Sequence, residues 1–289
     1  MRAAVDPGRP LGVFDSGLGG LTVVRAVARD LPDEAMVYFG DTARLPYGNK
    51  SAATVTRLSL EAYRFLHHFG IKAFVVACNS ASALAMDALR GEAQVPVVGV
   101  VEAGARAAAA TTRTGRIGVI GTRATVGSRC YERQLGVLDP AYRITTTACP
   151  LFVPLVEEGW IDEAVTRAVA ERYLAGVRDA GVDTLILGCT HYPLLREVLQ
   201  EVMGEGVTLI DSGEAMATEV TALLDGRGLR RAPGPPPPRH RFFVSDQADR
   251  FEHGAKRFLG DALGGEVRAV DPSDIPWYDR WAPETRGEA

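Results

Sequence analysis

The segments Ala73–Ser82 (AFVVACNSAS) and Thr184–Pro193 (TLILGCTHYP) follow one plan, and this plan decides the fold. Each starts with an apolar run, reaches a small residue and a cysteine, and continues through hydroxyl or amide side chains. Short runs of this kind are typical of strands that are buried on both faces of a parallel sheet. Because Cys78 and Cys189 occupy the same place in the two copies, the sequence predicts two similar halves, each with a thiol at a strand end.

Other apolar runs alternate with helical patterns along the chain. The clearest helix is predicted over Ile161–Ala180, where apolar side chains recur at four-residue steps. This alternation predicts βαβ units and therefore an α/β fold with mainly parallel sheets. The predicted strands are Leu11–Phe14, Ala35–Phe39, Ala73–Ala77, Val95–Val100, Arg116–Ile120, Thr184–Leu187, Val207–Ile210 and, near the C-terminus, Phe242–Val244, which precedes a helix over Asp246–Leu259.

A weak internal repeat relates Leu11–Thr22 (LGVFDSGLGGLT) to Ile117–Ser128 (IGVIGTRATVGS). It predicts two pseudo-symmetric α/β domains, the first formed by residues 1–101 plus 212–289 and the second by residues 102–211. Ligands of open α/β sheets bind at the carboxyl ends of strands. We therefore expect the active site in the cleft between the two domains.

Composition and charge exclude several classes of protein. The net charge of −4 gives no basic excess, so we expect neither a nucleic acid nor a membrane as partner. The first residues lack the apolar core of a signal peptide, and four cysteines without a C-x-x-C pair favour reduced thiols in the cytoplasm. Asp225–His240 is rich in proline, glycine and arginine and predicts an exposed connection, and Asp279–Ala289 is predicted to fray.

The two thiols are candidate reactive groups. Cys78 precedes a predicted helix over Ser80–Leu89, and Cys189 precedes a helix predicted to start at Pro193. The positive end of a helix dipole favours a thiolate, although an inert core cysteine is the ordinary alternative. Core packing gives no reason for two equivalent cysteines, so we favour a reactive pair. The other cysteines, Cys130 and Cys149, have no polar motif nearby and are predicted to be structural.

Polar residues beside the thiols could hold a carboxylate. Asn79, Ser80, Thr190 and His191 supply donors together with free backbone N–H groups, although helix capping would explain the same residue types. His191 could also assist Cys189 in proton transfer. We expect no metal ion at this site.

Three further segments carry candidate residues. Asp15 and Ser16 follow the first strand in a D-S-G-L-G-G string, which does not match the dinucleotide-binding fingerprint. The carboxylate of Asp15 could bind an ammonium group, assist proton transfer at a thiol, or simply cap a helix. Asp41, Tyr47 and Gly48 lie in a loop after the second strand and could contact or support a small ligand. Glu157, in the segment FVPLVEEG, is a further acid near an expected strand end, where it could support the site or be a solvated loop charge.

Cofactor-free proton transfer at an α-carbon fits these residues. Pyridoxal phosphate needs a lysine, and none of the three lysines (Lys50, Lys72 and Lys256) lies at a strand end beside a phosphate cradle. We therefore expect no cofactor. Two bases on opposite faces of the substrate, one to abstract and one to return the proton, form the design of a racemase or epimerase.

The segments GVFDSGLGGLTV, GDTARLPYG, ACNSAS and LGCTHYPLL resemble the signature segments of the glutamate racemase family, in the same order and spacing, over about Leu11–Glu219. The resemblance implies cofactor-independent interconversion of L- and D-glutamate, which supplies D-glutamate for peptidoglycan, and a homodimer. It implies that Cys78 takes the α-proton from D-glutamate and Cys189 from L-glutamate, with Asp15 and His191 as helpers. The implied substrate contacts are Asp15, Ser16, Tyr47, Gly48, Asn79, Ser80, Thr190 and His191.

Two alternatives remain open on the sequence. The family usually has threonine where this chain has Ser80, so the hydroxyl group is kept. The related aspartate racemases typically carry an acid at the position of His191, and the histidine here therefore favours glutamate as the substrate. A racemase or isomerase acting on another small acid is the first alternative. A binding module is the second, with Cys78, Cys189 and His191 as zinc ligands.

Overall fold

The computed structural model describes residues 5–234, 240–259 and 265–270. Its strands form two sheets in which every adjacent pair is parallel. The strands are β1 (Leu11–Asp15), β2 (Met36–Gly40), β3 (Ala73–Val76), β4 (Val97–Gly99), β5 (Arg116–Gly121), β6 (Arg143–Ala148), β7 (Thr184–Gly188), β8 (Thr208–Asp211), β9 (His240–Val244) and β10 (Gly265–Ala269).

Helices connect these strands and cover the sheets. Short 3₁₀ helices at Thr42–Arg44, Tyr47–Asn49 and Tyr192–Leu195 add to them. The α-helices are α1 (Leu21–Asp30), α2 (Ala52–His68), α3 (Asn79–Leu84), α4 (Met86–Glu92), α5 (Val100–Thr111), α6 (Arg123–Gly127), α7 (Cys130–Leu138), α8 (Phe152–Glu157), α9 (Ala164–Asp179), α10 (Arg196–Met203), α11 (Ser212–Arg227) and α12 (Ala248–Leu259).

The two sheets share one strand order. The larger sheet runs β10-β9-β2-β1-β3-β4, and the smaller runs β6-β5-β7-β8. The four strands β2-β1-β3-β4 therefore correspond to β6-β5-β7-β8, and the strands that precede Cys78 and Cys189 are equivalent. This arrangement confirms the predicted α/β fold with two related parallel sheets.

Buried apolar side chains hold the two halves together. One hydrophobic cluster contains Val13 of β1 and Leu187 of β7, with Val220 of α11 between the halves. Helix α11 packs against both α1 and α5. The predicted domain boundaries, after residue 101 and after residue 211, stay a prediction because a shared core does not divide the chain there.

Several predicted elements differ in their bounds. The helix expected over Ser80–Leu89 is broken at Ala85 into α3 and α4, and Pro193 lies in a 3₁₀ turn that precedes α10 rather than starting an α-helix. Strands β6 and β10 are absent from the predicted set. The sequence of β6, RITTTA, is half-buried and polar because the strand lies at a sheet edge.

The C-terminal segment confirms a strand and a helix, β9 and α12. Residues 235–239 of the predicted exposed connection, and the predicted frayed end Asp279–Ala289, lie outside the described residues. Among the helices that the structure describes, none combines the length and the apolar character needed to cross a membrane.

Candidate active site

The carboxyl ends of the two sheets face one cavity of about 270 Å³, and both thiols line it. Every residue that the family resemblance implies as a substrate contact also lines it, with the exception of Asp15. The full lining is Ser16, Gly17, Leu45, Pro46, Tyr47, Gly48, Asn79, Ser80, Asn49, Cys78, Thr122, Pro150, Val153, Pro154, Glu157, Cys189, Thr190 and His191. The fold thus brings both cysteine motifs to a single site.

Cys78 lies at the start of α3 and is 5% exposed. Its Sγ donates a weak hydrogen bond to Ser16 Oγ at 3.4 Å. Burial first, and then the nearby carboxylate of Asp15, raise the pKa of the Cys78 thiol to about 12 against the opposing hydrogen bond to Ser16. The expectation that the helix dipole makes Cys78 a thiolate is therefore wrong, because burial and a neighbouring negative charge outweigh the end of a six-residue helix.

Asp15 lies behind the cavity wall rather than in it. The residue is 1% exposed, and its Oδ2 accepts a hydrogen bond from the backbone N–H of Gly17 at 2.8 Å. Its Oδ1 accepts a longer bond of 3.4 Å from Thr190 Oγ1, which belongs to the other half. Burial raises the pKa of Asp15, while the charge of His191 and these hydrogen bonds oppose the rise.

Cys189 has a different neighbour. Its Sγ lies 3.9 Å from His191 Nδ1, and His191 Nε2 lies 3.2 Å from Glu157 Oε1. Burial opposes a charge on this imidazole, but the hydrogen bonds to Cys189 and Glu157 and their negative charges raise the pKa of His191 to about 10. At neutral pH a positive imidazolium therefore faces the sulfur of Cys189.

Glu157 occupies the last turn of α8, so its expected place near a strand end is wrong. The side chain is about a quarter exposed and lines the cavity. The acid reaches the site because α8 follows β6, the strand that was not predicted. Cys130 and Cys149 are free and buried and do not belong to the cavity lining.

Asp41 supports Tyr47 from behind. The Tyr47 hydroxyl donates to Asp41 Oδ2 at 2.5 Å, and the same fully buried carboxylate accepts bonds from Arg44 and Ser245. Asp41 does not line the cavity, so its contribution is to fix the orientation of the Tyr47 ring. The loop lies so close to Thr122 that position 48 needs a glycine, because a Cβ on Gly48 would lie 2.6 Å from the Cβ of Thr122.

Asn79 offers an unused donor to the cavity. The Tyr131 hydroxyl donates to Asn79 Oδ1 at 2.8 Å, which leaves Nδ2 as the donor end of the amide. This buried Nδ2 has no hydrogen-bond partner in the described part of the chain. An unpaired buried donor costs about 1–3 kcal/mol, so an oxygen of a bound ligand would supply a favourable partner.

Three residues of this site were not predicted from the sequence. Thr122 bonds Ser80 Oγ at 2.9 Å and lines the cavity. It occupies the position of Ser16 in the internal repeat, so the repeat could have identified it. Gly19 allows the close approach of Thr190, since a Cβ there would lie 2.2 Å from Thr190 Oγ1. Tyr131 has no local signal, because it meets Asn79 only in the fold.

The zinc alternative has no ligand set in the structure. Across residues 5–234, 240–259 and 265–270, no three His, Cys, Asp or Glu side chains are grouped so that they could hold a metal ion.

Known proteins share this architecture and sequence. A model of the Asp/Glu/Hydantoin racemase family matches residues 21–220. A glutamate racemase of Geobacter metallireducens is 53% identical over 258 residues, which cover 89% of this chain and 95% of the relative.

Among solved structures, a glutamate racemase of Bacillus anthracis has a TM-score of 0.88 at 41% identity, and the match covers 91% of this chain and 98% of the Bacillus chain. A glutamate racemase of Francisella tularensis in complex with D-glutamate has a TM-score of 0.84 at 35% identity, with the same two coverages. The motif resemblance is thus confirmed, and the chain belongs to the Asp/Glu/Hydantoin racemase family and, within it, to the glutamate racemases.

Proposed function

We propose that the chain interconverts L- and D-glutamate by moving the α-proton between two thiols, without a cofactor. One observation carries the proposal: Cys78 and Cys189 follow equivalent strands of two sheets and line a single cavity. A base on each side of a bound α-carbon can remove a proton from one face and return one to the other.

The raised pKa of Cys78 favours a reaction that starts from L-glutamate. Cys189, with its imidazolium neighbour, accepts the α-proton as a thiolate, and Cys78, whose high pKa keeps it protonated, donates a proton to the opposite face. The product is D-glutamate, and the thiol and thiolate have exchanged places. The reverse reaction begins from that exchanged state, with Asp15 assisting proton traffic at Cys78 and His191 assisting at Cys189.

The polar cavity wall suits the carboxylates of the substrate. We assign Asn79 Nδ2 and the hydroxyl groups of Ser16, Ser80 and Thr190 to substrate binding, together with Tyr47, Gly48 and His191. The D-glutamate held by the Francisella tularensis relative supports this substrate. Aspartate is the second candidate, because the matching family model names both acids and the two differ by one methylene group.

A cellular role and an assembly complete the proposal. D-Glutamate made in the cytoplasm would serve peptidoglycan synthesis, so a bacterium depleted of this protein would require added D-glutamate. We also propose a homodimer, which light scattering of the purified protein would show as twice the chain mass of 30.9 kDa. The division into domains of residues 1–101 plus 212–289 and residues 102–211 belongs to the same proposal.

The direct test is α-proton exchange in D₂O with the purified, thiol-reduced protein, a metal chelator present and no added cofactor. We expect NMR to show loss of the α-proton signal from either enantiomer, and polarimetry to show racemisation. Absence of both would contradict the proposal. Faster turnover of aspartate would change the substrate, and activity that appears only when the chelator is left out would indicate a metal-dependent mechanism.

A further inference from the structure

Helix α12 connects the larger sheet with the wall that carries Cys189. The helix follows β9 of the larger sheet. Its Arg257 Nη1 donates hydrogen bonds to the backbone carbonyls of Val156 at 3.0 Å and Glu157 at 2.8 Å. The next residue, Phe258, has its ring centroid 5.5 Å from that of His191, with the two planes nearly perpendicular. One short segment therefore contacts both members of the Glu157–His191 pair.

Arg257 caps the C-terminal end of α8. The last carbonyls of a helix have no partner inside it and carry partial negative charge, which a guanidinium can satisfy. The chain leaves α8 through Gly159, whose φ is +81°, and a Cβ at this glycine would lie 2.8 Å from Arg257 Nη2. The glycine thus gives the turn its left-handed backbone and leaves room for the guanidinium.

The contact of Phe258 restricts the imidazole. Phe258 is 1% exposed, so its ring is fixed by packing against its neighbours. An edge-to-face neighbour of this kind limits rotation of the His191 ring. The ring orientation matters because Nδ1 faces Cys189 while Nε2 faces Glu157.

We infer that Arg257 and Phe258 are positioning residues that hold Glu157 and His191 against Cys189 and so control proton transfer on that side of the substrate. The inference rests on the proposed racemisation. The Cys78 side is built from β1, β3 and Ser16, so its proton transfer is expected to proceed without this support.

Isotope effects separate the two sides. Enantiomers have equal free energy in water, so any variant changes kcat/KM equally in both directions. We expect Arg257→Ala to lower kcat/KM about fivefold, which corresponds to about 1 kcal/mol. The isotope effect on kcat/KM should rise for L-glutamate deuterated at Cα and fall for deuterated D-glutamate, because transfer at Cys189 becomes more rate-limiting. Arg257→Lys should give an intermediate change, and Phe258→Leu a change in the same direction.

The matched control is Lys256→Ala, which removes the same charge from the neighbouring exposed position of α12. This variant should keep the isotope effects of the unmodified protein. Thermal unfolding identifies any variant that fails to fold, and the exposed position of Arg257 keeps that series informative if Phe258→Leu does not fold. Unchanged isotope effects in Arg257→Ala, or a parallel change for both enantiomers, would overturn the inference. An inactive unmodified protein would instead contradict the proposed function.

Discussion

The two halves of the molecule place a thiol in the same position but surround it with opposite charges. Cys78 has the carboxylate of Asp15 nearby, whereas Cys189 faces a positive imidazole. The internal repeat aligns Asp15 with Gly121, and the cysteine motifs align His191 with Ser80, so neither helper has a counterpart in the other half. A shared sheet order therefore fixes where the thiols lie, while single side chains give each thiol a different electrostatic environment.

The difference has a consequence for the resting protein. Under the proposed mechanism, the raised pKa of Cys78 makes this thiol the proton donor at the start, so the protein begins from one enantiomer and must exchange a proton before it accepts the other. The asymmetry thus suits a reaction whose two substrates are mirror images at the α-carbon.

The largest effect is expected from removing either thiol. Cys78→Ser and Cys189→Ser should each lower the racemisation rate by at least about a thousandfold, because a hydroxyl is far too weak an acid to exchange roles with a thiol. Polarimetry with each enantiomer measures the loss. The matched control is Cys130→Ser, a buried cysteine outside the cavity lining. Racemisation by either active-site variant within tenfold of the control would contradict the two-thiol account.

Removing the helpers should affect opposite sides. Asp15→Asn and His191→Asn should each lower kcat/KM about a hundredfold, which is within the usual range of acid–base assistance. The primary isotope effect should grow with deuterated D-glutamate in Asp15→Asn and with deuterated L-glutamate in His191→Asn. If both variants shifted the same isotope effect, the assignment of one helper to each thiol would be wrong.

A smaller effect is expected at Asn79. Tyr131→Phe removes the hydrogen bond that orients this amide, so the free Nδ2 donor can turn away from the substrate. A hydrogen bond is worth about 0.5–1.5 kcal/mol, and we expect KM to rise about fivefold with little change in kcat. Steady-state kinetics with both enantiomers tests this. A fall in kcat alone, with KM unchanged, would show that Tyr131 acts in the chemical step instead.

A separate effect, on stability rather than on activity, depends on pH. The pKa of His191 is about 10 in the folded protein against an ordinary value of 6.5, so its charged form stabilises the fold below pH 6.5. That contribution is lost progressively as the pH rises from 6.5 through about 10. We expect the free energy of unfolding in urea to decline between pH 6.5 and 9, and to decline less in His191→Asn. Equal declines in the two proteins would show that the imidazole is not charged in the folded site.

The sequence predicts the fold where a strand is buried on both faces. β3 and β7 are continuous apolar runs and were identified, as were the thiols that follow them. β6 is not predicted because this half-buried edge strand, RITTTA, contains three consecutive threonines and lacks an apolar run. The position of Glu157 was missed with it, since the acid enters the site through the helix that follows β6.

The electrostatics of the site could not be predicted from the sequence, for a different reason. A local motif shows Cys78 before a helix but gives neither its burial nor the proximity of Asp15, which is 63 residues away in the chain. The bond between Tyr131 and Asn79 spans 52 positions and has the same dependence on the fold. Residue identities can thus be predicted from a motif, whereas their protonation depends on contacts that the complete fold creates.

The most direct test of two opposed bases is the location of solvent deuterium after brief reaction in D₂O. Each enantiomer is supplied separately, and the reaction is stopped after a small fraction of substrate has been converted. With two opposed bases, we expect deuterium at Cα of the product and none in the recovered substrate, because the thiol that removes the proton is not the one that delivers it. Product that retains the original α-proton, or recovered substrate that gains deuterium as fast as product forms, would show a single base and contradict the two-thiol mechanism.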